Sequence, residues 1–304
     1  MRIVFMGTPD FAVASLDALV KAGFDIVGVI TAPDKPAGRG QKIQESAVKR
    51  YAKEHHLYIL QPEKLKAPEF LKELKALAAD LQVVVAFRML PEAVWNMPKL
   101  GTINLHASLL PQYRGAAPIN WAILNGEKES GVTTFFLKHE IDTGDILFSE
   151  KVAITNDMTA GQLHDELMMV GAKLLTETVT AIKEGNYQEK PQDDFDIAVL
   201  KHAPKIFKED CKIIWNQPVQ KVYNHIRGLS PYPAAFTYLQ DKTFKIFSAQ
   251  IENAVVHIQP GAYLTDGKTY LKFAALDGFI TVKEIQLEGK KRMQIEEFLR
   301  GVKV

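Results

Sequence analysis

Cysteine is nearly absent from this chain: one residue in 304, Cys211. A single thiol excludes an internal disulfide and a cysteine-cluster zinc site. It reads as a small, half-buried apolar side chain, and a cytoplasmic location is the expectation. Long apolar runs are missing as well. No stretch approaches the ~20 residues of a membrane span, so no membrane partner is expected. The N-terminal MRIVFMGTPDF lacks the layout of a secretion signal and reads as a buried first strand. The eight histidines are scattered without metal-ligand spacing, and no metal is expected. The G-x-G-x-x-G fingerprint is absent too, because Thr8 to Val13 contains no glycine after Gly7. That argues against a nicotinamide cofactor.

Charge of one sign is also lacking: 37 basic residues face 36 acidic ones, a net charge of +1. The balance hides an asymmetry. Residues 205–304 carry 15 basic and 10 acidic residues, or +5, which leaves 22 and 26, or −4, for residues 1–204. A mildly basic C-terminal part permits a nucleic-acid partner. Otherwise the composition, 47% hydrophobic and 24% charged, is that of a globular protein with a sizeable core.

The first half alternates strand and helix signals. RIVFM at 2–6, DIVGVIT at 25–31, LQVVVAF at 81–87 and GTINLH at 101–106 are short runs rich in Val and Ile. Helical stretches separate them: one entered through Thr8-Pro9-Asp10 and stopped by Gly23, another at about 67–79. Strands of this kind, covered on both faces, predict a doubly wound, Rossmann-like parallel sheet of the α/β class. Two more strands, 132–137 and 146–154, and a long amphipathic helix from 158 to Gly185 complete it. A polar stretch at 186–205 shows little periodicity and reads as a linker. After a helix at NQPVQKVYNHIRGL, short strands recur from Ala235: AFTYLQ, FKIFSAQ, AVVHIQ, TYLKFAA and GFITVKEIQL, with turns such as Asp266-Gly267 and Asp277-Gly278 between them. They predict a small β-barrel, OB-like. The expected domains are 1–188, a linker at 189–208, and 209–304.

The chemistry concentrates at GTINLHASLLPQYRGAA, residues 101–117, and EIDTGDI, residues 140–146. Asn104 and His106 stand two apart on an expected strand, so they face the same side. Asp142 lies in a second loop beside a Thr-Gly turn. An amide donates to a developing oxyanion, an imidazole moves a proton, and a carboxylate orients or charges it. That set suits acyl transfer. Ser108 lacks the G-x-S-x-G setting of a nucleophile and reads as a wall or turn residue. Ala32 to Lys42, APDKPAGRGQK, reads as a loop projecting Lys35, Arg39 and Lys42, which can reach a nucleic-acid backbone.

N-x-H-x-S-L-L-P followed by D-T-G-D resembles the folate-dependent formyltransferases. The longer LHASLLPQYRGAAPINWAILNG is most similar to the tRNA-formylating branch, and the likeness runs to GKKRM at 289–293. The resemblance implies transfer of a formyl group from 10-formyltetrahydrofolate to the methionine amino group of initiator Met-tRNA, by a monomer. It makes Asn104, His106 and Asp142 the catalytic residues, with Asp145 as a turn residue. It places the folate against Phe87, Arg88, Met89 and Leu90, against Ser108, Leu109, Leu110 and Pro111, and against Asp142. Many relatives have a small residue where this chain has Arg88, which leaves the local loop shape open. Contacts to tRNA are expected from Lys35, Arg39, Lys42, Arg114, Lys205, Arg227, Lys290, Lys291 and Arg292. Three alternatives stay open: a formyltransferase acting on a small amine such as a nucleotide sugar, a formyltetrahydrofolate hydrolase, and a non-catalytic RNA-binding protein. The basic 33–42 loop speaks against the first, and the intact trio against the last.

Overall fold

A computed structural model describes residues 1–37, 42–192 and 200–302. Arg39 lies outside the described residues, and so does the side chain of Lys42. In chain order the elements of the first part are β1 (Arg2–Gly7), α1 (Asp10–Lys21), β2 (Asp25–Ile30), β3 (Lys35–Ala37), β4 (Lys42–Gln44), α2 (Ala47–Glu54), β5 (Ile59–Leu60), α3 (Pro68–Ala76), β6 (Leu81–Val85), α4 (Glu92–Trp95), β7 (Thr102–His106), β8 (Arg114–Gly115), α5 (Pro118–Leu124), β9 (Glu129–Phe136), β10 (Ile146–Ala153) and α6 (Ala160–Glu184). Then come β11 (His202–Ala203), α7 (Val219–Gly228), β12 (Ala235–Leu239), β13 (Lys242–Glu252), β14 (Tyr263–Thr265), β15 (Leu271–Ala274), β16 (Phe279–Leu287), β17 (Met293–Gln294) and α8 (Ile295–Gly301).

The chain divides into two compact units. The first comprises 1–115, 131–152 and 164–202; the second comprises 116–130, 153–163 and 203–304.

In the first unit seven strands form one sheet in the order β10-β9-β7-β6-β1-β2-β5. The run from β7 to β5 is parallel, and β9 joins β7 antiparallel. Ile3, Val4, Phe5 and Met6 of β1 are fully buried, as a central strand covered on both faces requires. The connections run one way from β1 to β2 and β5, and the other way to β6 and β7. This reversal leaves a crevice at the carboxyl ends of β1 and β6, where open α/β sheets bind ligands. Register aligns Gly7 with Val85 and Val85 with Leu105, so the loops after β1, β6 and β7 emerge at one edge.

The second unit carries an antiparallel sheet in the order β12-β13-β16-β15-β14, with β17 on β16, curled into a half-barrel. The eleven-residue β13 pairs with both β12 and β16 and is irregular around Ser248, which lets one strand bend around the core. Helix α7 packs on this core through Val219, Val222 and Ile226. It begins at Pro218, which offers no side-chain cap; the carboxylate of Asp277, in the β15–β16 turn, accepts from the Val219 N–H at 2.6 Å instead.

The expected α/β and barrel classes therefore stand, with three local differences. AVVHIQ at 254–259 is no strand: Ala254 and Val255 are exposed, Val256 and Ile258 are only half-buried, and the segment joins no ladder. Residues 263–265 and 293–294 pair instead. The 33–42 segment is not a bare loop, since Lys35, Pro36 and Ala37 pair with Gln44, Ile43 and Lys42 as a β-ribbon. At its root the Asp34 carboxylate accepts from Lys49 Nζ at 2.5 Å and from Gln61 Nε2 at 2.8 Å. Those donors hold the Asp34 carboxyl below the usual carboxylate range.

Candidate active site

β7 ends at the crevice edge. Asn104 pairs with Val84 on one side and Phe135 on the other, and His106 lies opposite Thr133. Pleating turns Asn104 and His106 to one side. His106 is only 8% exposed. Its Nε2 lies 2.9 Å from the Tyr113 carbonyl, and a carbonyl can only accept, so Nε2 carries the hydrogen. That assignment leaves Nδ1 as the nitrogen free to gain or lose a proton. Nδ1 faces the Asp142 carboxylate, with Oδ2 at 3.9 Å.

Asp142 is itself held: its Oδ2 accepts from the Gly115 N–H at 2.9 Å. The turn around it depends on Gly144, where an added Cβ would lie 1.6 Å from the Phe136 carbonyl oxygen. Asp145 points away into an ion pair with Lys138 at 2.8 Å, consistent with a turn role. Three non-glycine residues around the site adopt left-handed backbone: Ala86 (φ 47°), Tyr113 (φ 61°) and Asp142 (φ 56°). Such residues persist where surrounding contacts over-determine them, and they gather at functional sites.

The loop after His106 is built into the sheet. The Thr133 hydroxyl donates to the Ser108 carbonyl at 2.7 Å and accepts from the Leu110 N–H at 3.2 Å. Ser108 is buried, and its hydroxyl donates to the Gln112 carbonyl at 2.7 Å, away from any nucleophilic role. Leu110 and Pro111 are buried and Leu109 is half-buried. On the loop after β6, Phe87 and Leu90 are half-buried against the core, whereas Met89 is 76% exposed. Arg88 bridges outward, with its guanidinium donating to the carbonyls of Pro62 and Glu63. It pins the loop after β6 to the earlier segment between β5 and α3, so the departure at this position has a structural use.

The expected nucleic-acid contacts separate into two groups. Lys35, Lys205, Lys290, Lys291 and Arg292 are exposed, and Arg292 pairs with Glu284 at 2.5 Å while lying over the Phe247 ring. Arg227 is a correction. It is 4% exposed, and its guanidinium donates to Asn224 Oδ1 at 2.9 Å and the Met158 carbonyl at 2.9 Å. A buried, occupied guanidinium holds the second unit together and is not presented to a phosphate. Arg114 is half-buried, with Nε and Nη2 both donating to Gln192 Oε1.

Gln192 is the residue around this site that sequence reasoning passed over. It is buried, and its Nε2 donates to the carbonyls of Asp142 and Gly144. It lies in a polar stretch without periodicity, and its partners are about fifty residues away in sequence, so no local signal marks it.

Taken together, a doubly wound sheet with an amide, an imidazole and a carboxylate at its strand ends defines an acyl-transfer protein with a β-barrel appendage. Residues 1–179 match the formyl transferase family and residues 205–303 match the formyl transferase C-terminal domain; the chain belongs to the formyl transferase family. It is 57% identical to the methionyl-tRNA formyltransferase of Bacteroides fragilis, over 99% of this chain and 95% of that one. The methionyl-tRNA formyltransferase of Flavobacterium johnsoniae is 53% identical, over 99% and 96%. Among solved structures, WlaRD, a sugar 3N-formyl transferase, superposes with a TM-score of 0.69 at 22% identity, over 96% of this chain and 99% of that one. HypX from Aquifex aeolicus, in complex with tetrahydrofolic acid, gives 0.67 at 19% identity, over 99% of this chain and 48% of its own.

Proposed function

We propose that this chain transfers the formyl group of 10-formyltetrahydrofolate to the methionine amino group of initiator Met-tRNA, as a cytoplasmic monomer, with residues 1–188 catalytic and 209–304 binding tRNA. The observation that carries this reading is the approach of His106 Nδ1 to the Asp142 carboxylate beside Asn104, in a chain similar along its whole length to methionyl-tRNA formyltransferases.

The folate supplies an amide-like formyl group activated for attack. The residues proposed to hold it are 87–90 and 108–111, whose backbone groups and apolar side chains suit an aromatic ring. Asn104 donates to the formyl oxygen as negative charge gathers there. A preorganised donor of this kind is worth about 100- to 1000-fold in rate. His106 offers its Nδ1 proton to the same oxygen or to the departing nitrogen, while Nε2 stays committed to Tyr113. Asp142, directly or through water, accepts a proton from the methionine ammonium, which frees the amine to attack the formyl carbon.

Discrimination for tRNA is assigned to Lys35, Arg39 and Lys42 of the 33–42 segment and to the exposed cations Lys205, Lys290, Lys291 and Arg292. The test is incubation with 10-formyltetrahydrofolate and Met-charged initiator tRNA, with a water-only control. Formylmethionyl-tRNA that requires charged tRNA supports the reading. Deformylation in water alone points to a hydrolase, and formylation of amino sugars to the small-amine alternative. Arg39→Ala is expected to raise KM for tRNA roughly tenfold by loss of a phosphate or base contact and to leave folate binding unchanged. Parent-like kinetics would remove Arg39 from recognition.

A further inference from the structure

The connector between the two family-matched regions, after residue 179 and before residue 205, reaches back to the loops that carry the catalytic trio. Lys190 exchanges both backbone hydrogen bonds with Ile146, at 2.8 and 2.9 Å, just beyond the Asp142 turn. Gln192 follows and is 4% exposed. Its Nε2 donates to the Asp142 carbonyl at 3.1 Å and the Gly144 carbonyl at 2.6 Å. Its Oε1 accepts from Arg114 Nε at 3.2 Å and Nη2 at 2.8 Å. Both donors and the acceptor of the amide are therefore in use. Further on, the Lys201 carbonyl accepts from the Tyr113 N–H at 2.6 Å, and the Lys201 N–H donates to Gln112 Oε1 at 2.8 Å.

These contacts fall on particular residues. Asp142 and Tyr113 are two of the left-handed residues at the site, and the connector bonds the backbone of each. Asp142 supplies the carboxylate. Tyr113 supplies the carbonyl that fixes His106 Nε2. Left-handed backbone at a non-glycine residue is costly and needs outside support. The connector is that support on both sides of the imidazole–carboxylate pair.

We propose that Gln192 is a positioning residue for Asp142, and that Lys190, Gln192 and Lys201 complete the support of the active site. The inference rests on the formyl-transfer reading and deepens it. A linker that merely joined two domains would expose its polar side chains. Here a glutamine is buried to hold two carbonyls and a guanidinium.

Gln192→Glu is the discriminating substitution, because it keeps an acceptor for Arg114 and loses both donors to the Asp142 turn. Gln192→Asn, one methylene shorter, serves as the second variant if the glutamate variant melts early. Formyl transfer to Met-charged initiator tRNA is measured for the parent, Gln192→Glu, Asp142→Asn and the double variant, with amide hydrogen exchange at Gly115 followed in each. The expected result is a fall of about 10- to 100-fold in kcat, the scale of a roughly 1 Å misplacement, with KM for both substrates within about twofold. The Gly115 amide, which donates to the Asp142 carboxylate, loses about tenfold or more of its protection. In the Asp142→Asn background the same substitution adds no further loss of kcat. An equal loss in that background, or parent-like kcat, overturns the proposal. Unchanged Gly115 exchange overturns it whether or not the chain transfers formyl. A parent that forms no formylmethionyl-tRNA overturns the functional reading separately, and the Gly115 exchange then decides the role of Gln192.

Discussion

At the residue scale the decisive feature is that the two nitrogens of His106 have different duties. Nε2 is tied to the Tyr113 carbonyl at 2.9 Å and keeps its hydrogen, and Nδ1 looks across 3.9 Å to the Asp142 carboxylate. In the proposed mechanism the proton is therefore passed at Nδ1, the nitrogen that faces the carboxylate. His106→Ala is expected to lower kcat/KM by about 100-fold or more, since it removes both the proton donor and its charge. It also removes the hydrogen bond to the Tyr113 carbonyl, at a cost to stability of about 0.5–1.5 kcal/mol. Thermal melting and steady-state turnover check both parts; a well-folded variant with parent-like turnover would end the catalytic assignment. Arg227 illustrates the opposite outcome. An arginine beside I-R-G-x-x-P-x-P looks like a nucleic-acid contact in sequence, yet its guanidinium is spent on Asn224 and the Met158 carbonyl inside the second unit.

At the scale of elements the Asp142 turn depends on a glycine for space. An added Cβ at Gly144 would meet the Phe136 carbonyl at 1.6 Å, and that oxygen belongs to the end of β9, which pairs with β7 at Ile103. Neither backbone can yield without moving the strand that carries Asn104 and His106. Gly144→Ala is expected to destabilise the protein by about 1–3 kcal/mol, the range for overpacking against fixed neighbours. It should also depress kcat more than KM, because Asp142 moves with the turn. Denaturant unfolding and steady-state kinetics test this, and a variant with parent stability would show that the turn has slack. The half-barrel uses a similar economy at α7, where Asp277 of a distant turn caps a helix whose own N-terminal residue is a proline.

At the scale of the whole molecule the two units differ in what limits them. In the second unit the His225 ring lies half-buried on α7; its Nε2 is enclosed without a hydrogen-bond partner among the described residues. Burial pushes its pKa below the ordinary 6.5, against the smaller opposing effects of the Cys211 backbone and Asp210. The folded state thus binds fewer protons at this site than the unfolded chain. Stability rises with pH through this window, and it is lost as pH falls below about 6.5 toward the folded-state value. The melting temperature is expected to fall between pH 7.5 and 5, and His225→Gln should flatten that slope; an unchanged slope would move the pH sensitivity elsewhere. Much of this architecture was legible from sequence. The short apolar runs of β1 and β6 mark strands covered on both faces, because burial dictates their composition. The N-x-H spacing and the D-T-G-D turn mark the candidate site, because the proposed chemistry needs side chains of those types and spacing leaves its own trace. What remained hidden shares one property. The Tyr113 carbonyl, the Gly115 N–H and the support from Gln192 act through backbone groups or across separations of 27 to 50 residues or more. A backbone carbonyl is the same in every residue, so no side-chain pattern can announce it. The strand that AVVHIQ fails to form belongs here too, since a strand exists only if a neighbour offers it a ladder. The sequence by itself determined which segments are apolar enough to be buried and which side chains can move protons. Only the tertiary structure decided which distant carbonyls and amides hold those side chains at working distance, because hydrogen-bond partners far apart in sequence are chosen by how the chain packs.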